Sequence, residues 1–174
     1  AKKQWDVFAE SCRVIASVLE YAEQKEGSLS NLREAQATIS QYHLDSIYPH
    51  FAVRISSWHR IFGDRDSSVF YAHEAIRTAP QFGKVFEVAE GHLLLGLNLK
   101  HADPQGAISH YKEAALLYRK VKVFYTFCLI HLNMAELNLA MGKSREAMAN
   151  IDTAFLYYPL ATGNNIEQLF RAYI

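Results

Sequence analysis

Eight histidines are the residues of this chain with the clearest potential for metal binding or acid–base catalysis. They occupy positions 43, 50, 59, 73, 92, 101, 110 and 131. Two imidazoles share one side of a helix when they are three or four residues apart, which is the spacing of helical zinc sites. No two of these histidines have that spacing, so the sequence predicts no metal site.

Activated nucleophiles are not indicated either. The two cysteines, Cys12 and Cys128, are far apart, and Cys128 lies in an apolar stretch where a thiol is usually buried and inert. The sequence has neither a GxSxG elbow nor a Gly-rich phosphate loop. Asp64 and Asp66 form a carboxylate pair, but both also suit the positive end of a helix. We therefore predict no catalytic residues, no cofactor and no enzymatic activity.

Charge and composition exclude further classes of function. The 174 residues include 18 basic and 18 acidic ones, so no excess of Lys and Arg is available to neutralise nucleic-acid phosphates. Two isolated cysteines favour a reducing cytoplasm over a disulfide framework. No apolar run approaches the roughly 18 residues of a transmembrane helix, and the opening AKKQWD is not a signal peptide. We expect a cytoplasmic domain that binds neither nucleic acid nor membrane, cut from a longer protein or trimmed from a complete one.

Helical apolar periodicity runs along the whole chain, interrupted by Gly, Pro and capping residues. A first helix is predicted over 2–25, ended by Gly27, and a second from Ser28 or Ser30 to a boundary before Pro49. Six more helices are predicted: over 50–62, from Asp64 or Asp66 to Pro80, and over 84–102, 104–120, 128–141 and 144–158; a ninth begins after 163–165. Few Pro and much Ala and Leu agree with an all-α fold.

The stretch 128–159 shows the organisation most clearly. Gly142 divides it into two helices, because glycine adopts the left-handed conformation that ends a helix. Ser144 suits the cap of the second helix and Pro159 its end. Their apolar positions are Ile130, Met134, Leu137 and Met141 in the first helix and Ala147, Ile151, Ala154 and Tyr158 in the second. A helical hairpin of roughly 34 residues is typical of one unit of a repeat array.

The second helices of four such hairpins share one pattern. Each has a small residue, a residue four positions later and another three beyond. These trios are Ala35, Ile39 and Tyr42; Ser68, Ala72 and Ala75; Ala107, Tyr111 and Ala114; and Ala147, Ile151 and Ala154. Small residues allow helices to approach closely, so we expect Ala135, Ala147 and Ala154 to be buried at helix crossings.

These features resemble the tetratricopeptide repeat (TPR) family. The shared features are a turn glycine at Gly63 and Gly142, the trios, and a closing proline at Pro80 and Pro159. The Leu-Gly pair of the first helix occurs as Leu95 and Gly96. The resemblance implies a right-handed α-α superhelix in one domain, with units of about 2–48, 49–83, 84–122 and 123–160 and the start of a further helix at 163–174. The first unit departs from the pattern in lacking both the turn glycine and the closing proline, and the third lacks the proline.

Function follows from the resemblance, because TPR arrays bind proteins or peptides on a concave face lined by first helices. Applied unit by unit, that geometry gives a groove of His50, Val53, Arg54, Ser57, Arg60, Glu90, Leu97, Lys100, His101, Asn133, Glu136 and Leu139. Within it, Arg54, Lys100 and Asn133 come from three successive first helices and suit an acidic or backbone-reading contact with an extended peptide. The convex face stays open as the alternative.

A second interpretation keeps the same fold. Long first helices and a period of 39 to 40 residues resemble the variant arrays of bacterial transcription regulators and peptide-pheromone receptors. The chain would then be a regulatory or sensor domain of a multidomain protein, and the sequence upstream of Ala1 would separate the two interpretations.

Aromatic residues cluster near the C-terminus. They are Phe155, Tyr157, Tyr158, Phe170 and Tyr173. We expect them to pack against a further repeat or, if exposed, to form a surface for self-association.

Overall fold

A computed structural model describes Gln4, Val7, Phe8, Ser11 and residues 25–162 of the chain. Seven α-helices follow one another in this part, and it contains no strand. They are α1 (Lys25–Gln41), α2 (Tyr48–Ile61), α3 (Arg65–Thr78), α4 (Val85–Leu99), α5 (Pro104–Lys120), α6 (Phe124–Ala140) and α7 (Ser144–Thr162), with a 3-10 helix over Ala79–Phe82. The predicted all-α fold is confirmed.

The chain divides into two compact units, unit 1 (Ala1–Glu87) and unit 2 (Val88–Ile174). In unit 1, α2 packs against α1 and α3; in unit 2, α6 packs against α5 and α7. The predicted ninth helix and most of the first lie outside the described residues.

Helix starts follow the capping residues found in the sequence. Asp64 caps α3, its Oδ1 accepting a hydrogen bond of 3.1 Å from the Ser67 backbone N–H. Asp103 caps α5 in the same way, with its Oδ1 2.9 Å from the Gly106 nitrogen, and Pro104 stands in the first turn, where a missing N–H is harmless. Because these donors are otherwise unpaired at a helix start, each cap contributes about 1 kcal/mol.

Five turns close with the same left-handed geometry. Within residues 25–162, the residues with positive φ are His43, Gly63, Gly83, Lys122 and Gly142. After each of them, the next backbone N–H donates to the carbonyl five residues back, as Asp64 does to His59 and Lys143 to Asn138, both at 2.8 Å. This is the Schellman arrangement, which satisfies carbonyls left free at a helix end. The predicted turn glycines Gly63 and Gly142 are confirmed, with φ of 85° and 72°.

The break predicted at Gly27 is wrong. Helix α1 (Lys25–Gln41) runs without a break through Gly27, Ser28 and Ser30. A glycine inside a helix costs only about 1 kcal/mol. The Asn31 side-chain amide donates a 2.9 Å hydrogen bond to the Gly27 carbonyl, and Ser28 is fully buried. Tertiary packing therefore outweighs the local preference.

The boundaries near the two outer prolines also differ from expectation. Helix α1 ends at Gln41, well before Pro49, and Pro49 lies in the first turn of α2 rather than after a helix. Helix α7 starts at Ser144 and continues past Pro159 to Thr162. Proline removes one N–H donor but its φ is helical. Because Phe155, whose carbonyl loses that partner, is exposed, the helix can continue.

The trios confirm the helical register of the sequence analysis. Ten of the twelve residues are buried, and only Tyr42 and Ile151 are half-buried. Ala135 is buried as well, so all three alanines expected at close crossings are inside. In unit 1, Ser56 donates a 2.7 Å hydrogen bond to the Ser68 carbonyl, which shows how closely α2 and α3 approach. In unit 2, Gly96 of α4 lies directly against the Tyr111 ring of α5.

Replacing Gly142 with valine is expected to lower the free energy of unfolding by on the order of 1 kcal/mol or more. A Cβ there would meet no atom within 4 Å, so the cost comes from the positive φ alone. Gly142→Asn is the matched control and should lose less, because asparagine tolerates this conformation better than a β-branched residue. Urea unfolding of the two variants would measure the difference; equal losses would contradict the assignment of the cost to φ.

Candidate functional site

In unit 1, the predicted groove residues of α2 mostly lie on its least buried side. His50, Arg54 and Ser57 follow one another at steps of four and three and are half-buried, while Arg60 is exposed. Val53 is the exception. It is 4% exposed and belongs to the core, so the structure corrects its assignment to a binding surface. At about 100° per residue, Val53 lies between Ser57 and Arg60 around α2, so helical periodicity alone does not separate it from the polar residues on that side.

His50 is engaged within unit 1. Its Nδ1 lies 3.5 Å from Oε1 of Glu87, and Nζ of Lys84 lies 3.7 Å from the same oxygen. Burial alone would raise the pKa of Glu87, but the hydrogen bond with His50 and the charge of Lys84 outweigh it and lower that pKa. Glu87 thus stays ionised although buried, and His50 contributes to holding this carboxylate.

In unit 2, the next predicted groove residues lie on α4 and directly after it. Glu90, Leu97 and Lys100 are half-buried and His101, just after the helix, is exposed. The Tyr118 hydroxyl of α5 donates a hydrogen bond to Oε1 of Glu90. Glu90 therefore connects α4 to α5 rather than standing free on the surface.

The most exposed apolar side in the described part of unit 2's first helices belongs to α6. Tyr125, Leu129, Leu132 and Leu139 are 45%, 42%, 46% and 55% exposed, and Glu136 lies in line with them. The five residues recur at steps of four, three, four and three, so they form one continuous stripe on the helix. We call this stripe the α6 ridge. It lies opposite the buried side, which carries Ile130, Met134 and Leu137.

A charged pair borders the α6 ridge. Nζ of Lys100 lies 2.9 Å from Oε2 of Glu136, so the end of α4 and the ridge of α6 are in direct contact. The Glu136 side chain is 61% exposed, and a pair this accessible adds well under 1 kcal/mol to stability. Asn133 is half-buried at the edge of the ridge. The structure thus brings Lys100, Glu136, Leu139 and Asn133 of the predicted groove together on one face of unit 2.

The sequence analysis does not predict three of the ridge residues: Tyr125, Leu129 and Leu132. The signal was present, because α6 is apolar on every side, and a helix with more apolar residues than one buried stripe needs has some to spare for the surface. The periodicity of Ile130, Met134 and Leu137 correctly predicts the core side of α6.

Two further side-chain pairs, besides Tyr118 and Glu90, join the helices of the hairpins in the described part of unit 2. Nδ1 of His92 on α4 lies 3.1 Å from Nδ1 of His110 on α5. In the next hairpin, Nδ1 of His131 lies 2.9 Å from Oδ1 of Asn150. Burial lowers the pKa of His131, against the opposing effect of its hydrogen bond with Asn150. A search for histidines within one helix could not find the first pair, because it forms across a hairpin.

The C-terminal aromatics divide into two groups. Phe155 and Tyr158 are exposed, whereas the Tyr157 ring packs on Phe127 and Phe124, with centroid distances of 4.8 and 5.8 Å. Phe170 and Tyr173 lie outside the described residues. Self-association through this end therefore stays a prediction.

The remaining candidates for chemistry have structural roles where they are described. Burial raises the pKa of the Cys128 thiol, whose Sγ lies 3.4 Å from the Ala154 carbonyl oxygen. Asp64 caps a helix, as described above. Across residues 25–162 and the four described near the N-terminus, no three His, Cys, Asp or Glu side chains are grouped so as to hold a metal ion. The same residues include no helix long and apolar enough to span a membrane.

No family model matches the chain, and no curated protein matches it in sequence. A solved structure does resemble it: the crystal structure of BtubC (BKLC) from P. vanneervenii. The two are 14% identical in sequence, with a TM-score of 0.79 over 91% of this chain and 66% of that one, so this chain spans somewhat less than two thirds of BtubC. At this identity the likeness concerns the fold.

Proposed function

We propose that this chain is a TPR-type repeat protein that binds a protein or peptide segment along the α6 ridge. The single observation that carries the proposal is the ridge itself: four exposed apolar side chains in an unbroken helical stripe around Glu136. Isolated apolar side chains on a surface are ordinary, but contiguous ones rimmed by polar groups mark interaction sites.

The repeat assignment is supported by the hairpins. The trio positions are buried in all four second helices, apart from the half-buried Tyr42 and Ile151, and the turn glycines Gly63 and Gly142 have the geometry of hairpin ends. Repeats of this kind bury one side of each first helix in the array and leave the other for a partner. The resemblance implies that this free side faces the concave surface.

The chemistry of the ridge indicates what kind of segment it binds. Leucine and tyrosine side chains at steps of four and three favour a partner with apolar residues at a matching spacing. Lys100 and Glu136 already neutralise one another across 2.9 Å, so an arriving charge would have to compete with that contact. We therefore expect apolar contacts with the α6 ridge to contribute more to binding than the polar contacts of Arg54, Lys100 and Asn133 that the sequence predicts.

A double substitution on the ridge tests this. Peptides would be selected from a phage-displayed random library on the intact protein, and their affinities measured by fluorescence anisotropy. We expect Leu132→Ser with Leu139→Ser to weaken the selected peptides at least about tenfold, because central apolar contacts carry most of the energy of an interface.

The matched control is Leu116→Ser on α5. Leu116 is 55% exposed, the same as Leu139, but it lies on a second helix. It should change peptide affinity by less than about twofold. Both variants would first be checked for unchanged melting temperature. If the selected peptides bind the ridge variant as well as the parent, or lose affinity to the control variant instead, binding occurs elsewhere and the proposal is wrong.

A further inference from the structure

The contact between His92 and His110 is an unusual way to join two helices. Both side chains are half-buried, their ring centroids are 5.4 Å apart and the rings are tilted by 36°. The Nδ1 atoms, 3.1 Å apart, face each other. A neutral imidazole has one N–H and one bare nitrogen, so a hydrogen bond here requires opposite tautomers in the two rings.

The same separation suits a shared metal ion. Consider two nitrogens that each lie about 2.0–2.1 Å from a cation. If the angle between the two metal–nitrogen bonds lies between the square-planar and the tetrahedral value, the nitrogens are about 2.9–3.4 Å apart. The observed 3.1 Å falls within this range. A cation lies to one side of the line that joins its two ligands, so both rings have to turn about their side-chain bonds until their Nδ1 lone pairs point at the ion.

We propose that His92 and His110 form a two-ligand site for a divalent first-row transition-metal cation of the Cu²⁺ or Zn²⁺ type. Imidazole nitrogen suits these borderline cations, whereas Ca²⁺ and Mg²⁺ prefer oxygen. Both Nδ1 atoms coordinate the ion, and the ring that carried its proton on Nδ1 carries it on Nε2 instead. The two rings are only half-buried, so water can complete the coordination of the ion.

The equivalent positions in the next hairpin explain why we assign the site to α4 and α5. His131 and Asn150 follow His92 and His110 by 39 and 40 residues, which is one repeat. They occupy the same place across the hairpin and also approach closely, at 2.9 Å. The amide oxygen of Asn150 is a weak ligand for these cations. An asparagine at position 110 would thus keep the hydrogen-bonded connection between helices and remove the second strong ligand.

Binding would also stabilise unit 2. The two ligands come from different helices of one hairpin, so an ion held by both favours the folded state over the unfolded one by mass action. We infer that the cation acts as a clasp between α4 and α5, independently of any partner on the α6 ridge.

The experiment is a titration of the intact protein with Cu²⁺ in a buffer that does not coordinate metal, followed by calorimetry and electron paramagnetic resonance. We expect one tightest site, with the nitrogen splitting of two imidazole ligands. His110→Asn should weaken that site at least about tenfold and leave the splitting of one imidazole or none, because one of two strong ligands is gone. Zn²⁺ should raise the melting temperature of the parent and not of His110→Asn.

His73→Asn is the control for adventitious binding, since His73 is an exposed histidine on α3 in unit 1. It should leave the tightest site unchanged. His92→Asn removes the ligand on the other helix and must reproduce the result for position 110, which keeps the test decisive if one variant folds poorly. Retention of the site in both His92→Asn and His110→Asn, or its loss in His73→Asn, would overturn the proposal.

Discussion

Replacing Gly96 with leucine is expected to lower the free energy of unfolding by about 3 kcal/mol, the upper part of the range for overpacked cores. A Cβ at this position would collide with Cε1 of Tyr111 and would lie 2.5 Å from its Cδ1. Tyr111 is fully buried, so its ring cannot move out of the way without disturbing its neighbours in the core. Urea unfolding would measure the loss. The slope of the unfolding free energy against urea concentration should stay the same as in the parent.

Gly96→Ala gives a sharper form of the same test. Within an exposed helix, alanine in place of glycine stabilises by about 1 kcal/mol. At Gly96 we expect destabilisation instead, because even one carbon collides with the ring. A double-mutant cycle supplies the control: in a Tyr111→Leu background the aromatic atoms are gone, and Gly96→Ala should cost less than it does in the parent. An equal cost in both backgrounds would mean that the contact with Tyr111 does not explain the glycine.

Local chemistry accounts for the parts of the fold that the sequence predicted well. The turn at Gly142 and the cap at Asp103 depend on residues within a few positions of one another. The burial of Ala35, Ala75 and Ala147 follows from a spacing that recurs in every hairpin. Such features are decided by backbone conformation and helical periodicity, which a single chain displays directly.

Packing between helices accounts for what was predicted wrongly. Gly27 and Pro159 weaken a helix by amounts that neighbouring contacts can outweigh, and both lie inside helices here. Val53 is buried although helical periodicity places it between Ser57 and Arg60, so its burial could not be predicted from the pattern of α2 alone.

The candidate surfaces show the same limit. The sequence identified Glu136 and Leu139 of the α6 ridge but not Leu132, because α6 has apolar residues on every side and its periodicity does not show which of them stay exposed. The approach of His92 to His110 depends on how α4 lies against α5. The sequence of neither helix indicates which residue of the other helix it contacts, so this pair could be found only in the folded chain.

The repeat register itself is tested by Ala154→Leu. Ala154 is the last member of its trio and 5% exposed, and its carbonyl oxygen accepts the Cys128 contact from α6 at 3.4 Å. Leucine adds three carbons at this crossing, which should force α6 and α7 apart or twist side chains out of their preferred rotamers. We expect the free energy of unfolding to fall by about 1–3 kcal/mol. Thermal and urea unfolding of the variant beside the parent would measure it.

The matched control for this change is Ala149→Leu on the exposed side of the same helix. It adds the same three carbons in solvent, so stability should stay within about 0.5 kcal/mol of the parent. Helix propensity is equal in the two variants, and their difference therefore isolates the packing at Ala154. If both variants unfold at the parent's denaturant concentration, the crossing has room for a larger residue. The packing of α6 against α7 would then not require an alanine at this position. Close packing would therefore not explain the small residues of the trios.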